Sequence, residues 1–237
     1  MPPLNILNNI NISEIFISLQ GEGKYVGARQ LFIRFSGCDI NCKGCDTDYS
    51  LRDNFYFIDE EYKNPISADF LVNKINNKDI LEGIHSISFT GGEPLLWSEA
   101  VEFIIDRIGN KTKYFLETSG FHLDILKKIY DKLDIVSLDI KLKSTFGIDD
   151  NIDNLKRAEF IENNKSYFKL VISDKTKSEE LVKVIKLLKE KDFNEIYLHS
   201  KNNLVEFKLL SDIMEMFYNS GITCYYVPQM HKMVGIK

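Results

Sequence analysis

The sequence predicts an α/β protein, a parallel sheet curling toward a barrel, with an N-terminal strand extension. Three observations carry this. Short β-rich runs alternate with longer amphipathic segments along the whole sequence. No Pro/Gly/Ser-rich linker, low-complexity tract or sharp composition break divides residues 1–237, so they read as a single domain. A length of 237 residues is enough to bury one sizeable core.

In order, Ile12–Leu19 is expected as an added strand ahead of the barrel, leading into Gln20-Gly21-Glu22-Gly23. The barrel strands are then Leu31–Phe35, Ser86–Phe89, Lys113–Leu116, Ile135–Asp139, Tyr167–Ile172, Glu195–Leu198 and Ile222–Val227. Between them lie helical segments at Ser67–Asn77, Ser98–Ile108, Leu123–Leu133, Ser178–Lys191 and Val205–Tyr218. The fourth carries a start signal, because Thr176 and Glu179 stand at capping-box spacing ahead of Leu181, Val182 and Val184. Such alternation implies parallel strands joined by right-handed helical crossovers. Functional groups then belong at the carboxyl ends of the strands.

The net charge is −5 with both signs well mixed, which argues against an electrostatic nucleic-acid partner and against a polybasic membrane surface. A small-molecule substrate is the simpler expectation. Nothing approaches the roughly eighteen consecutive apolar residues of a membrane span, and the Asn-rich N-terminus lacks a signal pattern. A cytoplasmic protein is expected.

Chemistry concentrates in Gly37-Cys38-Asp39-Ile40-Asn41-Cys42-Lys43-Gly44-Cys45-Asp46-Thr47, directly after an apolar strand. Thiolates this close on a loop can converge on one metal centre, and soft sulfur favours zinc or iron–sulfur clusters. A closed structural site wants four ligands, whereas three cysteines on a four-iron cluster leave one iron open. A zinc site would need a distant fourth ligand from His85, His122, His199, His231 or Cys224, none of them paired at ligand spacing. A disulfide framework does not suit four cysteines in a chain with no secretory signal. The other polar motifs follow successive strands: Thr90-Gly91-Gly92-Glu93-Pro94, Glu117-Thr118-Ser119-Gly120, and Ser137 to Lys141. One mouth could collect all of them.

The C-x3-C-x2-C spacing of Cys38, Cys42 and Cys45 resembles the cluster motif of radical S-adenosylmethionine (SAM) enzymes. The wider context narrows the resemblance. Gln20-Gly21-Glu22-Gly23, Gly27, Phe32-Ile33-Arg34, Cys45-Asp46-Thr47 and the tail Pro228-Gln229-Met230-His231-Lys232 are similar to the 7-carboxy-7-deazaguanine synthase family. It implies a partial, modified (β/α) TIM-like barrel of the radical SAM type and a lyase converting 6-carboxy-5,6,7,8-tetrahydropterin to 7-carboxy-7-deazaguanine with loss of ammonia, on the route to queuosine.

The implied cofactors are a [4Fe–4S] cluster on Cys38, Cys42 and Cys45, SAM, and Mg2+ held in part by Thr47. The resemblance also implies SAM contacts at Gly44, Cys45, Asp46, Gly92, Thr118, Ser137, Lys141 and His199. It implies substrate contacts at Leu19, Gln20, Gly21, Glu22, Arg34, Thr90, His231 and the terminal Lys237. Arg34 stands out in its apolar strand, and a planar guanidinium suits a carboxylate. Two positions depart from the family pattern: Gly44, where relatives often carry an aromatic, and His199-Ser200-Lys201-Asn202, where glutamine and proline are common. The implied partners are an external electron donor such as flavodoxin or ferredoxin and a second copy in a homodimer. A glycyl-radical activating enzyme and a non-catalytic zinc module remain as rival readings.

Overall fold

The computed structural model describes residues 6–45, 48–76, 79–201 and 205–235. Its strands are β1 (Ile12–Leu19), β2 (Arg29–Phe35), β3 (Asn54–Phe57), β4 (Glu60–Lys63), β5 (Ser86–Gly91), β6 (Lys113–Thr118), β7 (Ile135–Ile140), β8 (Ser166–Ile172), β9 (Glu195–Ser200) and β10 (Thr223–Tyr226). Its helices are α1 (Ala68–Asn76), α2 (Ser98–Ile108), α3 (Leu123–Ile129), α4 (Lys143–Phe146), α5 (Ile152–Arg157), α6 (Ser178–Glu190), α7 (Phe207–Asn219) and α8 (Met230–Val234). The strands form one sheet in the order β10-β9-β8-β7-β6-β5-β2-β1-β3-β4. Pairing is parallel from β2 across β5 to β10, as the strand–helix alternation predicts, and makes the partial barrel that the resemblance implies. The strand extension is present as β1, antiparallel to β2.

Strand alternation sorts the side chains. In β6 to β9, Leu116, Leu138, Leu170, Leu198 and their alternate neighbours join the large core shared with the helices. The intervening residues face the other way. Near the strand starts these are Phe115, Ile135, Tyr167 and Tyr197, which form a second aromatic core with Tyr25. Nearer the carboxyl ends they are Glu117, Asp139, Lys169 and His199, which face a cavity. Each fully buried aliphatic or aromatic side chain is worth about 1.5–3 kcal/mol relative to exposure, so the apolar face fixes the register and the polar face is free to carry chemistry.

Three sequence expectations are corrected. The hairpin β3–β4 was not expected; its outer strand is acidic, exposed Glu60-Glu61 leaves little periodic signal, and only Phe55 and Phe57 turn inward. The predicted helix Leu123–Leu133 stops at Ile129 and tightens into a 3-10 turn over Tyr130–Lys132. The capping box of α6 is one residue later than Thr176/Glu179. The Thr176 hydroxyl is taken by the Ser173 amide at 2.9 Å, so Lys177 becomes the N-cap and the Glu180 carboxylate accepts from its amide at 3.2 Å.

Candidate active site

A cavity of about 500 Å³ opens at the carboxyl ends of the parallel strands. The residues expected there arrive from four directions. Leu19, Gln20, Gly21, Glu22 and Arg34 line it from β1, the following loop and β2. The cysteine loop contributes Cys42, Gly44 and Cys45, the ends of β5 and β6 contribute Thr90, Gly92 and Thr118, and Lys141 and His199 come from the ends of β7 and β9. Cys38 stands behind Gly92 rather than on the cavity wall, and Ser137 is buried one pleat below Asp139 and does not reach it. His231 belongs to α8. Its side chain, like the whole of Asp46, Thr47 and Lys237, lies outside the described residues.

The glycine pair locks the cysteine loop to β5. Gly91 adopts φ +130°, and a Cβ there would meet the Phe35 carbonyl at 2.2 Å; a Cβ on Gly92 would meet the Gly37 carbonyl at 1.9 Å. Only bare backbone allows this approach. It lets the Gly92 amide donate to Phe35 (3.2 Å) and the Glu93 amide to Gly37 (3.0 Å). Glu93 is fully buried: one carboxylate oxygen accepts from the Thr118 hydroxyl (2.8 Å) and the Leu95 amide (3.1 Å), the other from the Ser119 amide (3.0 Å) and hydroxyl. The cysteine loop is pinned at two further points, by Gly37 donating to Tyr49 (2.7 Å) and Lys43 donating to Phe146 (2.8 Å).

All four cysteines carry free thiols. Burial pushes the Cys38 thiol up to about 11, with Glu93 and Asp39 adding to it, and burial likewise raises Cys42. Such thiols ionise when a metal takes them, so they suit ligation better than exposed nucleophilic chemistry. Three free thiols on one pinned loop, two of them opening on the cavity, fit a cluster held by three thiolates. The candidate zinc ligands are dispersed: His122 pairs with Asp39 at 2.9 Å, His85 lies against Tyr25, and Cys224 packs on the large core. Among the described residues, no group of three Cys, His, Asp or Glu side chains could hold a single metal ion.

The same cavity holds a buried ionic cage. The Lys169 ammonium lies 2.6 Å from Glu22, 3.2 Å from Asp139 and 3.6 Å from Glu117, and Lys141 pairs with Asp139 at 2.8 Å. Burial works against the Lys169 charge, but attraction from Asp139, Glu22 and Glu117 outweighs it and holds the ammonium well above its ordinary range. For Glu22 burial is likewise outweighed, by Lys169, His199 and a hydrogen bond from Gln229, and the carboxyl is held far below the usual carboxylate range. Gln20 donates to both Gln30 (3.1 Å) and Glu117 (2.9 Å), and its carbonyl accepts from the Glu22 amide (3.1 Å). His199 accepts from the Gly23 amide at 3.1 Å, so its proton sits on Nδ1; burial holds it down at about 4, neutral near pH 7.

Sequence reasoning gave no role to Lys169, Glu117, Asp139, Gln229 or Glu14. Lys169 was detectable: a lysine at the centre of the apolar run Ser166–Ile172 is the same kind of departure that singles out Arg34. Arg34 itself is partnered within the cavity, 3.2 Å from Glu14 and over the Phe16 ring, which stacks on Phe32.

The sequence profile of the Radical SAM superfamily matches residues 32–217. A 7-carboxy-7-deazaguanine synthase of Archaeoglobus fulgidus is 31% identical over 237 residues, spanning 96% of this chain and 99% of that one. One from Methanocaldococcus jannaschii is 36% identical over 193 residues, spanning 73% and 75%. Among solved structures, that of QueE from Escherichia coli superposes with a TM-score of 0.60 at 20% identity, covering 92% of this chain and 93% of that one, a likeness of fold. Archaeal TYW1 superposes with a TM-score of 0.52 at 13% identity, covering 81% and 72%.

Proposed function

We propose, for a chain that belongs to the radical SAM superfamily and within it to the 7-carboxy-7-deazaguanine synthases, that this cavity converts 6-carboxy-5,6,7,8-tetrahydropterin to 7-carboxy-7-deazaguanine with loss of ammonia. The observation that carries the reading is that a loop bearing three free thiols and a buried ionic cage meet at one cavity.

Cys38, Cys42 and Cys45 would hold a [4Fe–4S] cluster. Gly92 and its neighbours would offer bare backbone to SAM, beside Gly44, Cys45, Asp46, Thr118 and Lys141; Ser137 would act only through residues above it. When bound, cluster and SAM supply hydrogen-abstracting radical chemistry. The chain's own residues orient the substrate. Arg34, already aligned by Glu14, presents its fork to the pterin carboxylate. Leu19, Gln20, Gly21, Glu22 and Thr90 bound the ring, and the acceptors of the cage face its amino-pyrimidinone donors. Three cage carboxylates against two ammoniums leave one surplus negative charge, which favours a donor-rich edge. Neutral His199 fixes the Gly21–Gly23 backbone. Mg2+ at Thr47 and substrate contacts from His231 and Lys237 are proposed on the family resemblance. So are a single functional domain over 1–237, a flavodoxin or ferredoxin as reductant, a homodimer and a cytoplasmic location. No helix among the described residues is long and apolar enough to cross a membrane.

The test is anaerobic reconstitution with iron and sulfide, then incubation with reductant, SAM, Mg2+ and the carboxytetrahydropterin. Mass spectrometry should show 7-carboxy-7-deazaguanine, lost entirely in Cys42→Ala. SAM cleavage without that product would overturn the substrate assignment, and bound zinc without iron would overturn the whole reading.

A further inference from the structure

Gly44 and Lys201 share one space. Gly44 adopts φ +66°, and a Cβ built there would stand 2.9 Å from both Cε and Nζ of Lys201. The lysine comes from the end of β9, far away in sequence, and spans the mouth to reach the cysteine loop. Its ammonium donates to the Lys43 carbonyl at 2.7 Å and to the Thr145 carbonyl at 3.1 Å, and lies 5.4 Å from the centre of the Phe146 ring. The loop is held at the same place by the Lys43 amide donating to Phe146 at 2.8 Å. Both hydrogen-bonding groups of Lys43 are therefore fastened, one to α4 and one to Lys201.

The charge has a second consequence. Among the described residues Lys201's partners are two carbonyls and a ring, all neutral, so none of them offsets its positive charge near Cys42. Lys141 lies 4.5 Å from the same Phe146 ring, but its charge is shared with Asp139. Two ammoniums thus flank Phe146, and one of them, Lys201, has no carboxylate partner among the described residues.

We propose that Lys201 is a positioning residue for the cysteine loop: it latches the Lys43–Gly44 turn to α4 and holds a fixed positive charge beside the cluster thiolates. Glycine at position 44 is what leaves room for the latch. The charge half rests on the iron–sulfur reading above; the latch half does not.

Amide hydrogen exchange on the cluster-free protein tests the latch. In Lys201→Met the peptide spanning residues 42–45 should exchange roughly tenfold faster, the low end for a lost hydrogen bond to a charged group. Peptides of α6 should be unchanged, and Lys201→Arg should stay close to the parent. Gly44→Ala should reproduce the acceleration by displacing the lysine, and combining it with Lys201→Met should add little. Unchanged exchange in Lys201→Met, or equal acceleration in α6, overturns the latch. In reconstituted protein, the midpoint potential of the cluster, followed by electron paramagnetic resonance, should move negative in Lys201→Met and return in Lys201→Arg. An unmoved potential overturns the charge half. Failure of the parent protein to take up a cluster overturns that half together with the functional reading, while the exchange result stands by itself.

Discussion

Replacing Lys169 with methionine removes one charge from the centre of the cage while keeping most of the volume. Its side chain is 7% exposed, and Glu22, Asp139 and Glu117 converge on it at 2.6, 3.2 and 3.6 Å. Deleting one partner of a buried ion pair costs about 3–5 kcal/mol, because the remaining charge is stranded. For a chain of this size each kcal/mol moves the melting midpoint by about 2–4 °C, so the loss should be about 6–20 °C. The pH dependence identifies the cause. In the parent, Glu22 and Asp139 are held below their ordinary range despite burial. Their contribution is present above the unfolded carboxylate range, about pH 4, and is lost as pH falls below it. In the variant Lys141 still pairs with Asp139 and Gln229 still donates to Glu22, but without Lys169 burial, the largest influence on Glu22, dominates and its folded pKa rises above the unfolded value. The folded state then binds more protons than the unfolded one, and stability is lost as pH rises. Thermal melts at pH 5.5 and pH 8 should therefore show a smaller deficit at the lower pH. Equal deficits, or a variant within about 0.5 kcal/mol of the parent, would refute the cage argument.

Gly92→Ala should cost about 1–3 kcal/mol or more by thermal melting, since its methyl group would meet backbone rather than a side chain that can yield; iron uptake on reconstitution should fall with it. His199→Gln should flatten the acid limb. The unfolded histidine takes a proton below about pH 6.5 whereas the buried one resists to about 4, so the parent loses stability across that interval and the variant should lose less. Arg34→Lys keeps the charge but loses the fork, and should raise KM for the carboxylated pterin roughly tenfold while kcat changes little; an unchanged KM would detach Arg34 from the substrate.

The strands were legible because their apolar residues follow a period of two on a sheet with one helix-covered face. The three cysteines and the glycine pair were legible because their spacing is itself the chemistry. The cage was not, because its members lie on β6, β7, β8 and the Gln20–Gly23 loop, and no local pattern states that Glu22 will meet Lys169 across 147 residues. Ser137 shows how depth adds to parity. The resemblance implies a SAM contact there, and its parity sets it on the cavity-facing side of β7, one layer below Asp139. The Gly44 departure was visible as a missing side chain, yet only the fold shows which distant residue fills the gap.

The aromatic packing at the base of the barrel has its own consequence for traffic. Tyr25 meets Phe115 edge-on at 5.7 Å and Tyr167 at 6.0 Å, and Tyr167 meets Tyr197 at 5.3 Å. Gly23 lies so close above them that a Cβ would strike the Tyr167 ring at 2.6 Å. Among the described residues this floor closes the base of the cavity and leaves it open at the carboxyl ends of the strands. Four rings that take no part in the ionic cage thus decide from which end the cavity fills.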